Sequence, residues 1–174
     1  MFLVDYQIRE YFEAGNIEPQ PDWGEQLQPS SLDLKLSNEF MCYCDCADEM
    51  IDPYSPPTDV TEFTADHLMI EPGEFYLAST EEYVKLDACH TGLLQGRSSF
   101  ARFGLTIHVT AGYIDPGFEG KITLELANLG SRPIYLEPGM RIAQLSLIKH
   151  NQCSNPYNGK YQNQIGVKES KGCR

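Results

Sequence analysis

The residues best suited to chemistry lie between Gln95 and Asn128, where charge, glycine content and strand pattern all change. This stretch contains two arginines with two serines between them, then a glycine-punctuated turn and one carboxylate in a strand pattern: Arg97, Ser98, Ser99, Arg102, Gly112 to Gly120 and Glu125. Arginine forms charge-assisted hydrogen bonds to anions such as phosphates. We therefore interpret the stretch as the floor of a catalytic site.

The distribution of charge favours an anionic ligand on the second half of the chain. The 174 residues carry a net charge of -12. Residues 1–96 have a net charge of -17, whereas residues 97–174 have a net charge of +5. The acidic total argues against a nucleic-acid partner, because such binding rests on neutralising phosphates with Lys and Arg.

Glu125 by itself permits two interpretations. Alternation in KITLELAN places it opposite the face of Leu124, which is typical of a solvated carboxylate on an outer sheet face. The preceding turn IDPGFEG contains glycines that allow close backbone approach to a ligand, and the positive charge begins at Arg97. Together these neighbours favour a functional carboxylate. No partner is placed by sequence for His108, which we interpret as a hydrogen-bonded histidine within a strand.

Length and composition predict one domain, residues 1–174, with a substantial core. The 11 prolines and 14 glycines favour many short strands joined by turns over a helix bundle. No apolar run approaches the length needed to cross a bilayer, and the N-terminus has no basic region followed by a long apolar run. We therefore expect a cytoplasmic protein, in the host cytoplasm if it is viral, with no membrane partner.

Three of the six cysteines alternate in the segment MCYCDC, at Cys42, Cys44 and Cys46. In a strand these thiols would share one face and could bind a soft metal. The spacing is not a zinc-finger pattern, however, and no histidine is close by. Because free cysteine in a reducing compartment behaves as a small hydrophobe, we interpret them as thiols on a strand.

The N-terminal residues 1–16 predict a short helix. Asp5 is the candidate cap, Gly15 the candidate stop, and the residues between them recur at helical spacing: Ile8, Tyr11 and Phe12. The next segment, LQPSSLDLKLSNEF, alternates as a strand, with leucines on one face and Asp33 and Lys35 on a solvated face.

The rest of the chain predicts strands joined by turns. Glu-Pro-Gly turns at residues 71–74 and 137–140 each begin a strand. The segments LTIHVTA, from Leu105, and KITLELAN alternate. Residues 45–62 predict an exposed acidic loop, and residues 151–174 a mobile polar tail. Many short strands with one helix predict a β-sandwich or a barrel of jelly-roll type.

Longer motifs carry a family resemblance. The segment GRSSFARFGLTIHVTAGYIDPGFEGKITLELAN, followed by PGMRIAQL and PYNGKYQNQ, closely resembles the dCTP deaminases, which are related to the trimeric dUTPases. LQPSSLDLKLSNEF is similar to the early strand of that family, so the resemblance covers nearly the whole chain. It implies a mainly β, distorted jelly-roll and a homotrimer with active sites at subunit interfaces. It also implies a magnesium ion held by the triphosphate and water, with no protein ligand.

The resemblance also implies roles for individual residues. The motifs of zinc deaminases, H-x-E and P-C-x-x-C, are absent, so the water must be activated without zinc. By resemblance, Glu125 is the general base for the water that attacks cytosine C4. Ser98 and Arg102 hold the water and this carboxylate, the backbone near Ala111 orients the water, and Asp115 lies beside the deoxyribose. Ser98 also matches a nucleotide contact of the family, as do eight other residues: Arg97, Ser99, Thr123, Leu124, Gln144, Tyr157, Lys160 and Gln164.

Two branches of this family differ in their product. One only deaminates dCTP to dUTP, whereas the other also cleaves dUTP to dUMP and pyrophosphate. The segment Thr110 to Tyr113 is similar to the bifunctional branch, while the monofunctional bacterial form has histidine and arginine after the motif's TA. We therefore expect a bifunctional enzyme whose tail closes as a lid over the triphosphate. The alternatives are a monofunctional dCTP deaminase, a dUTPase-like hydrolase and a non-catalytic nucleotide-binding regulator.

Overall fold

The computed structural model describes residues 1–43, 50–57 and 59–173. Its helical elements are short: α1 (Asp5–Tyr11), a π-helical turn (Phe12–Asn16), α2 (Trp23–Gln26) and α3 (Ser98–Ala101). The strands are β1 (Ile17–Glu18), β2 (Leu27–Gln28), β3 (Ser31–Tyr43), β4 (Val60–Thr64), β5 (Leu68–Ile70), β6 (Phe75–Lys85), β7 (His90–Gly96), β8 (Leu105–Thr106), β9 (Tyr113–Ile114), β10 (Glu119–Asn128), β11 (Ile134–Leu136) and β12 (Arg141–Lys149).

One antiparallel sheet contains most of these strands, in the order β8-β10-β6-β3-β12-β7-β9. Strand β1 pairs with β6, β2 and β4 pair with β3, and β5 forms a separate ribbon with β11. The main sheet curls into a half-barrel. This architecture confirms the prediction of a mainly β, jelly-roll or barrel fold with a short N-terminal helix.

The core lies inside the curl of the sheet. Strand β10 alternates between buried and half-buried residues along its whole length, as its sequence predicts. On β10, Leu124 and Leu126 are fully buried, and Ile8 and Phe12 from the N-terminal helical segment are fully buried in the same cluster. Burying a leucine or phenylalanine side chain stabilises a fold by roughly 1.5–3 kcal/mol. The predicted N-terminal helix therefore serves as a packing element.

Both predicted Pro-Gly turns are present. Glu74 N donates to Glu71 O at 3.1 Å, and Met140 N donates to Glu137 O at 3.2 Å. The strands that follow these turns are β6 and β12, as predicted. These turns were predictable because proline and glycine fix turn geometry locally.

Two predictions about the N-terminal half are wrong. Asp5 is the first residue of α1 and not its cap; the cap is Val4, whose N–H donates to Gln7 Oε1 at 3.1 Å. Asp33 does not face solvent but is 0% exposed, and Lys35 is half-buried. The reason is that β3 is covered on both faces at this point, since every residue from Ser31 to Leu34 is buried.

The predicted strand from Leu105 is also shorter than expected. It ends at Thr106, so His108 does not lie within a strand. Nor is His108 satisfied, because its buried Nδ1 has no hydrogen-bond partner among the residues described. The chain leaves the sheet here because Val109 is bound by a side chain of β10, as described below.

The predicted acidic loop after β3 is present but shorter than predicted. In the predicted acidic loop, residues 50–55 are exposed, but Val60 to Glu62 belong to β4. Cys42 lies on β3, whereas Cys44 and Cys46 fall outside the described residues. Across the ranges that the structure covers, no helix is long and apolar enough to cross a membrane.

Candidate active site

A cavity of about 500 Å³ lies between β10, β9 and the C-terminal tail. Six of the predicted site residues line it: Ala111, Asp115, Thr123, Glu125, Tyr157 and Gln164. Apolar side chains of β6, Phe75 and Leu77, line its base, with Phe118 and Ile122. A mostly apolar cleft with a few convergent polar groups is typical of a small-molecule site.

Glu125 is held in this cavity by the chain segment that follows β8. Its carboxylate Oε2 accepts a hydrogen bond from Val109 N at 2.7 Å, and its own N–H donates to Ile107 O at 2.9 Å. Within the described chain, Oε1 has no hydrogen-bond partner. One oxygen of the carboxylate is therefore fixed, and the other is open to a ligand.

Asp115 begins the tight turn between β9 and β10. Phe118 N donates to Asp115 O at 3.1 Å, and Tyr157 N donates to Pro116 O at 2.7 Å, which brings the tail against the turn. Gly117 has a φ of +91°, and a Cβ added there would lie 2.6 Å from Pro156 Cβ. Glycine is thus required for close approach of the tail, whereas the sequence predicted close approach of a ligand.

The C-terminal tail crosses the open side of the cavity. Asn163 N donates to Glu119 O at 2.7 Å, and Lys121 N donates to Gln164 O at 3.0 Å, so the tail adds to the edge of β10. The side-chain amide of Gln164 donates to Thr123 Oγ1 at 3.2 Å. Its Oε1 is buried and has no hydrogen-bond partner in the described chain.

A second group of predicted residues surrounds Asp33, outside the cavity. Arg97 Nε lies 3.2 Å from Asp33 Oδ2, and Arg97 also donates to Arg141 O at 2.8 Å. Gln144 Nε2 donates to Asp33 Oδ1 at 3.2 Å, and Arg141 lies 3.6 Å from the same carboxylate. Buried charges require such partners. Sequence reasoning missed Asp33 and Arg141, since period-two alternation shows which residues share a face but not whether that face is covered.

A buried carboxylate on β6 extends this second group. Glu82 is 1% exposed and accepts hydrogen bonds from Gln26 Nε2 at 2.8 Å and Lys35 N at 3.0 Å. Burial raises the pKa of Glu82 to about 7, although these hydrogen bonds favour the charged form. Gln26 also donates to the main-chain oxygen of Asp33 at 2.9 Å, which connects Glu82 to the backbone of β3.

The other predicted residues do not reach the cavity of their own chain. Ser98, Ser99 and Arg102 lie on or just after α3 and are exposed. Lys160 is exposed and donates to Gly172 O. The side chain of Leu124 is buried in the core, so only its main chain can contact a ligand.

The charge of the cavity differs from the expectation for an anionic ligand. Its lining contains the carboxylates Asp115, Glu125 and Glu169 but only one basic side chain, Lys168. Of the guanidinium groups that should bind phosphates, Arg97 belongs to the second group and Arg102 is exposed just after α3. Among the described residues, no group of three or more His, Cys, Asp or Glu side chains could hold a metal ion.

Comparison with known proteins places these features in a family. Residues 2–150 match the model of the family described as dCTP deaminase-like. A protein of Sulfurihydrogenibium, named dCTP deaminase, dUMP-forming, is 44% identical over 98% of this chain and 97% of its own length. A protein of Persephonella marina with the same name is 43% identical, over 98% of this chain and 97% of its own length.

One solved structure confirms the fold. The crystal structure of 2'-deoxycytidine 5'-triphosphate deaminase from Agrobacterium tumefaciens superposes on 84% of this chain with a TM-score of 0.68 and 22% identity. This chain covers 47% of the length of that protein. With most of its length matched by the family model and by relatives over 40% identical, this chain belongs to the dCTP deaminase-like family.

Proposed function

We propose that this protein deaminates dCTP without zinc and then hydrolyses the resulting dUTP to dUMP and pyrophosphate. The observation that carries the proposal is the geometry of Glu125, with one oxygen fixed by Val109 N at 2.7 Å and the other open to the cavity. The relatives named dCTP deaminase, dUMP-forming, at 40–44% identity support both reactions.

In the first reaction, Glu125 acts as the general base. It takes one proton from a water while the water oxygen bonds to C4 of cytosine, and it returns that proton to the departing amino group as the C4–N bond breaks. The second proton of the water moves from the new C4 hydroxyl to N3, which leaves the C4 carbonyl of uracil. The N–H of Val109 holds the carboxylate during both transfers. Ser98 and Arg102 orient the water and the carboxylate, and the main chain near Ala111 orients the water. The products are dUTP and ammonia.

In the second reaction, Asp115 is the candidate base. It receives one proton of a water whose oxygen attacks the α-phosphorus, and the bond from that phosphorus to the bridging oxygen breaks to release pyrophosphate. Arg97 and Ser99, with Gln144, Tyr157, Lys160 and Gln164, contact the nucleotide, and Thr123 and the main chain of Leu124 read the base. Charge on the departing group is stabilised by arginine.

We propose a homotrimer in which each site draws on two chains. In one chain, Glu125 and Asp115 line the cavity, but Ser98, Ser99 and Arg102 are exposed and lie outside it. A neighbouring chain that inserts its α3 segment would supply the missing cations to a cavity lined by three carboxylates and one lysine. Exposed apolar side chains, among them Phe103 at 68% and Leu129 at 74%, would be covered by such contacts.

Magnesium fits the site as a partner of the triphosphate. Magnesium prefers oxygen ligands, keeps several waters and binds through substrate phosphates with one or two carboxylates nearby. The triphosphate oxygens and water would hold the ion, in the cavity that Asp115 and Glu169 line. When bound, the ion would neutralise charge on the phosphates.

The metal requirement separates this chemistry from that of zinc deaminases. We expect elemental analysis of the active protein to find no stoichiometric zinc, and chelation followed by readdition of magnesium to restore activity, because the ion holds phosphates and does not generate hydroxide. One zinc per chain, with activity lost on its removal, would contradict this prediction.

We propose that the tail is the lid of the site. It spans residues 151–173 in the described chain, and Tyr157 and Gln164 on it line the cavity. Hydrogen exchange of the tail amides should slow when nucleotide binds, since a closed lid protects them from solvent.

An assay of both products from both nucleotides tests the function. We expect ammonia and pyrophosphate from dCTP, and pyrophosphate from added dUTP. Ammonia alone would indicate a monofunctional deaminase, pyrophosphate from dUTP alone a dUTPase-like hydrolase, and neither product a nucleotide-binding regulator.

A further inference from the structure

A second cavity, of about 510 Å³, adjoins the first on the far side of β9. Tyr113, Asp115 and Tyr157 line both cavities, so they stand at the junction. Tyr113 is 63% exposed, and its side chain is accessible to a ligand in either cavity. The remaining lining of the second cavity includes Thr91 and His150.

A chain of hydrogen bonds links Tyr113 to these two residues across three strands. The Tyr113 hydroxyl lies 3.4 Å from Thr91 Oγ1, which is long for a hydroxyl pair, and Thr91 Oγ1 lies 3.0 Å from His150 Nε2. Thr91 is on β7, which pairs with β9 on one side and with β12 on the other. His150 follows β12 directly, and its main-chain N–H donates to the main-chain oxygen of Cys89 at 2.9 Å.

The main-chain oxygen at the His150 end of this chain determines which atom donates in each hydrogen bond. His150 Nδ1 lies 2.7 Å from the main-chain oxygen of Asn151, which can only accept. Nδ1 therefore carries the proton, and in a neutral imidazole Nε2 must then accept from the Thr91 hydroxyl. Thr91 has only one proton, so it accepts from Tyr113. The Tyr113 hydroxyl thus donates its proton to the hydrogen bond with Thr91, and its oxygen presents only lone pairs to the cavities.

We propose that the Tyr113 oxygen is a second acceptor for the water that attacks the α-phosphorus. This inference rests on the proposed pyrophosphate-releasing reaction. The water has two protons: Asp115 takes one as the new O–P bond forms, and the other is hydrogen-bonded to Tyr113 and stays on the product phosphate until it is lost to solvent. Two acceptors in fixed positions direct a lone pair of the water toward phosphorus. Thr91 and His150 are positioning residues that orient the phenol.

The test measures how dCTP divides between dUTP and dUMP. Tyr113→Phe removes the oxygen and keeps the ring, and Thr91→Val removes the hydroxyl of a residue that is 3% exposed at nearly constant volume. Thr91→Ser retains a hydroxyl, and Tyr135→Phe is the matched control, since Tyr135 bonds Glu137 away from both cavities. One hydrogen bond of this kind corresponds to about a five- to tenfold change in rate.

We expect Tyr113→Phe to lower kcat for pyrophosphate release about five- to tenfold with KM and ammonia release unchanged, so that dUTP accumulates. Thr91→Val should have the same effect in part, and Thr91→Ser should restore the wild-type rate. Unchanged pyrophosphate release in Tyr113→Phe, or an equal fall of both reactions, would overturn the inference. An effect of Tyr113→Phe without one of Thr91→Val would overturn the positioning role. If the wild-type protein releases no pyrophosphate from dUTP, it is the proposed function that fails.

Discussion

Glu125 shows how one hydrogen bond can decide the role of a residue. On an outer sheet face, a carboxylate in alternation with leucines is ordinarily solvated. Here the chain after β8 leaves the sheet, and Val109 N donates to Glu125 Oε2 at 2.7 Å. That contact restricts the carboxylate to one orientation in the cavity. A base held in this way needs no rearrangement to reach a bound water.

Replacing Glu125 tests its role as a base directly. Glu125→Gln keeps the shape and can still accept from Val109, but the amide cannot take a proton. We expect ammonia release to fall by roughly 10²–10⁴-fold, measured in steady-state assays, with the oligomer unchanged in light scattering. Glu137→Gln, on an exposed position, is the control. Substantial residual deamination would return Glu125 to a solvated surface residue.

Asp33 holds the side chains of two residues predicted to contact the nucleotide, Arg97 and Gln144. It is 0% exposed and is bonded to Arg97 and Gln144 at 3.2 Å each. Asp33→Asn leaves the two neighbouring guanidinium groups without their counter-charge, and losing one partner of a buried pair costs about 3–5 kcal/mol. We expect urea unfolding to report a loss near the low end of that range, because Arg97 is 27% exposed.

The exposed Asp66→Asn is the control for this measurement, with an expected change within about 0.5 kcal/mol. If Asp33→Asn and Asp66→Asn unfold at the same urea concentration, Asp33 is not the anchor of this group.

At the scale of elements, local signals were predictable and long-range ones were not. KITLELAN was correctly predicted as a strand with Leu124 inward, because one face of β10 meets the core. LTIHVTA has the same alternation, but only Leu105 and Thr106 form a strand, since a side chain from β10 captures Val109. Asp33 was misplaced because its burial depends on β12, more than 100 residues away along the chain. The same dependence on long-range contacts applies to the site. The resemblance indicated one set of residues, but within one chain some of them line the cavity and others surround Asp33.

Glu82, on β6, makes the free energy of unfolding depend on pH. Burial raises its pKa to about 7 from an ordinary value of 4.5, so the folded chain holds a proton that the unfolded chain releases. The free energy of unfolding that Glu82 contributes is therefore fully present below pH 4.5 and is lost as the pH rises through about 7. The difference corresponds to roughly 3 kcal/mol.

Glu82→Gln is uncharged at every pH and should remove this dependence. We expect the difference in unfolding free energy between Glu82→Gln and the wild type to move in favour of the variant between pH 5 and pH 8, measured by urea unfolding. A difference that is the same at both pH values would show that Glu82 does not titrate in this range.

At the scale of the whole molecule, the charge of the cavity in a single chain does not match its proposed substrate. Its cavity is lined by three carboxylates and one lysine, although the proposed substrate carries a triphosphate. The second half of the chain has a net charge of +5, but Arg97 and Arg102 lie outside the cavity. The proposed homotrimer would resolve this imbalance, because a head-to-tail interface places one surface of each chain against a different surface of the next.

Mixing two inactive variants tests whether a site draws on two chains. Glu125→Gln and Arg102→Ala should each be inactive alone, since one lacks the base and the other the cation that holds it. Purification through tags on both variants leaves only trimers that contain both chains. In each such trimer one of the three sites combines an intact Glu125 with an intact Arg102 from the neighbour, so about a third of wild-type deamination should return. A site contained within one chain would give no recovery. We therefore expect the coexpressed sample, purified through tags on both variants, to release ammonia, and separately purified samples mixed without subunit exchange to remain inactive.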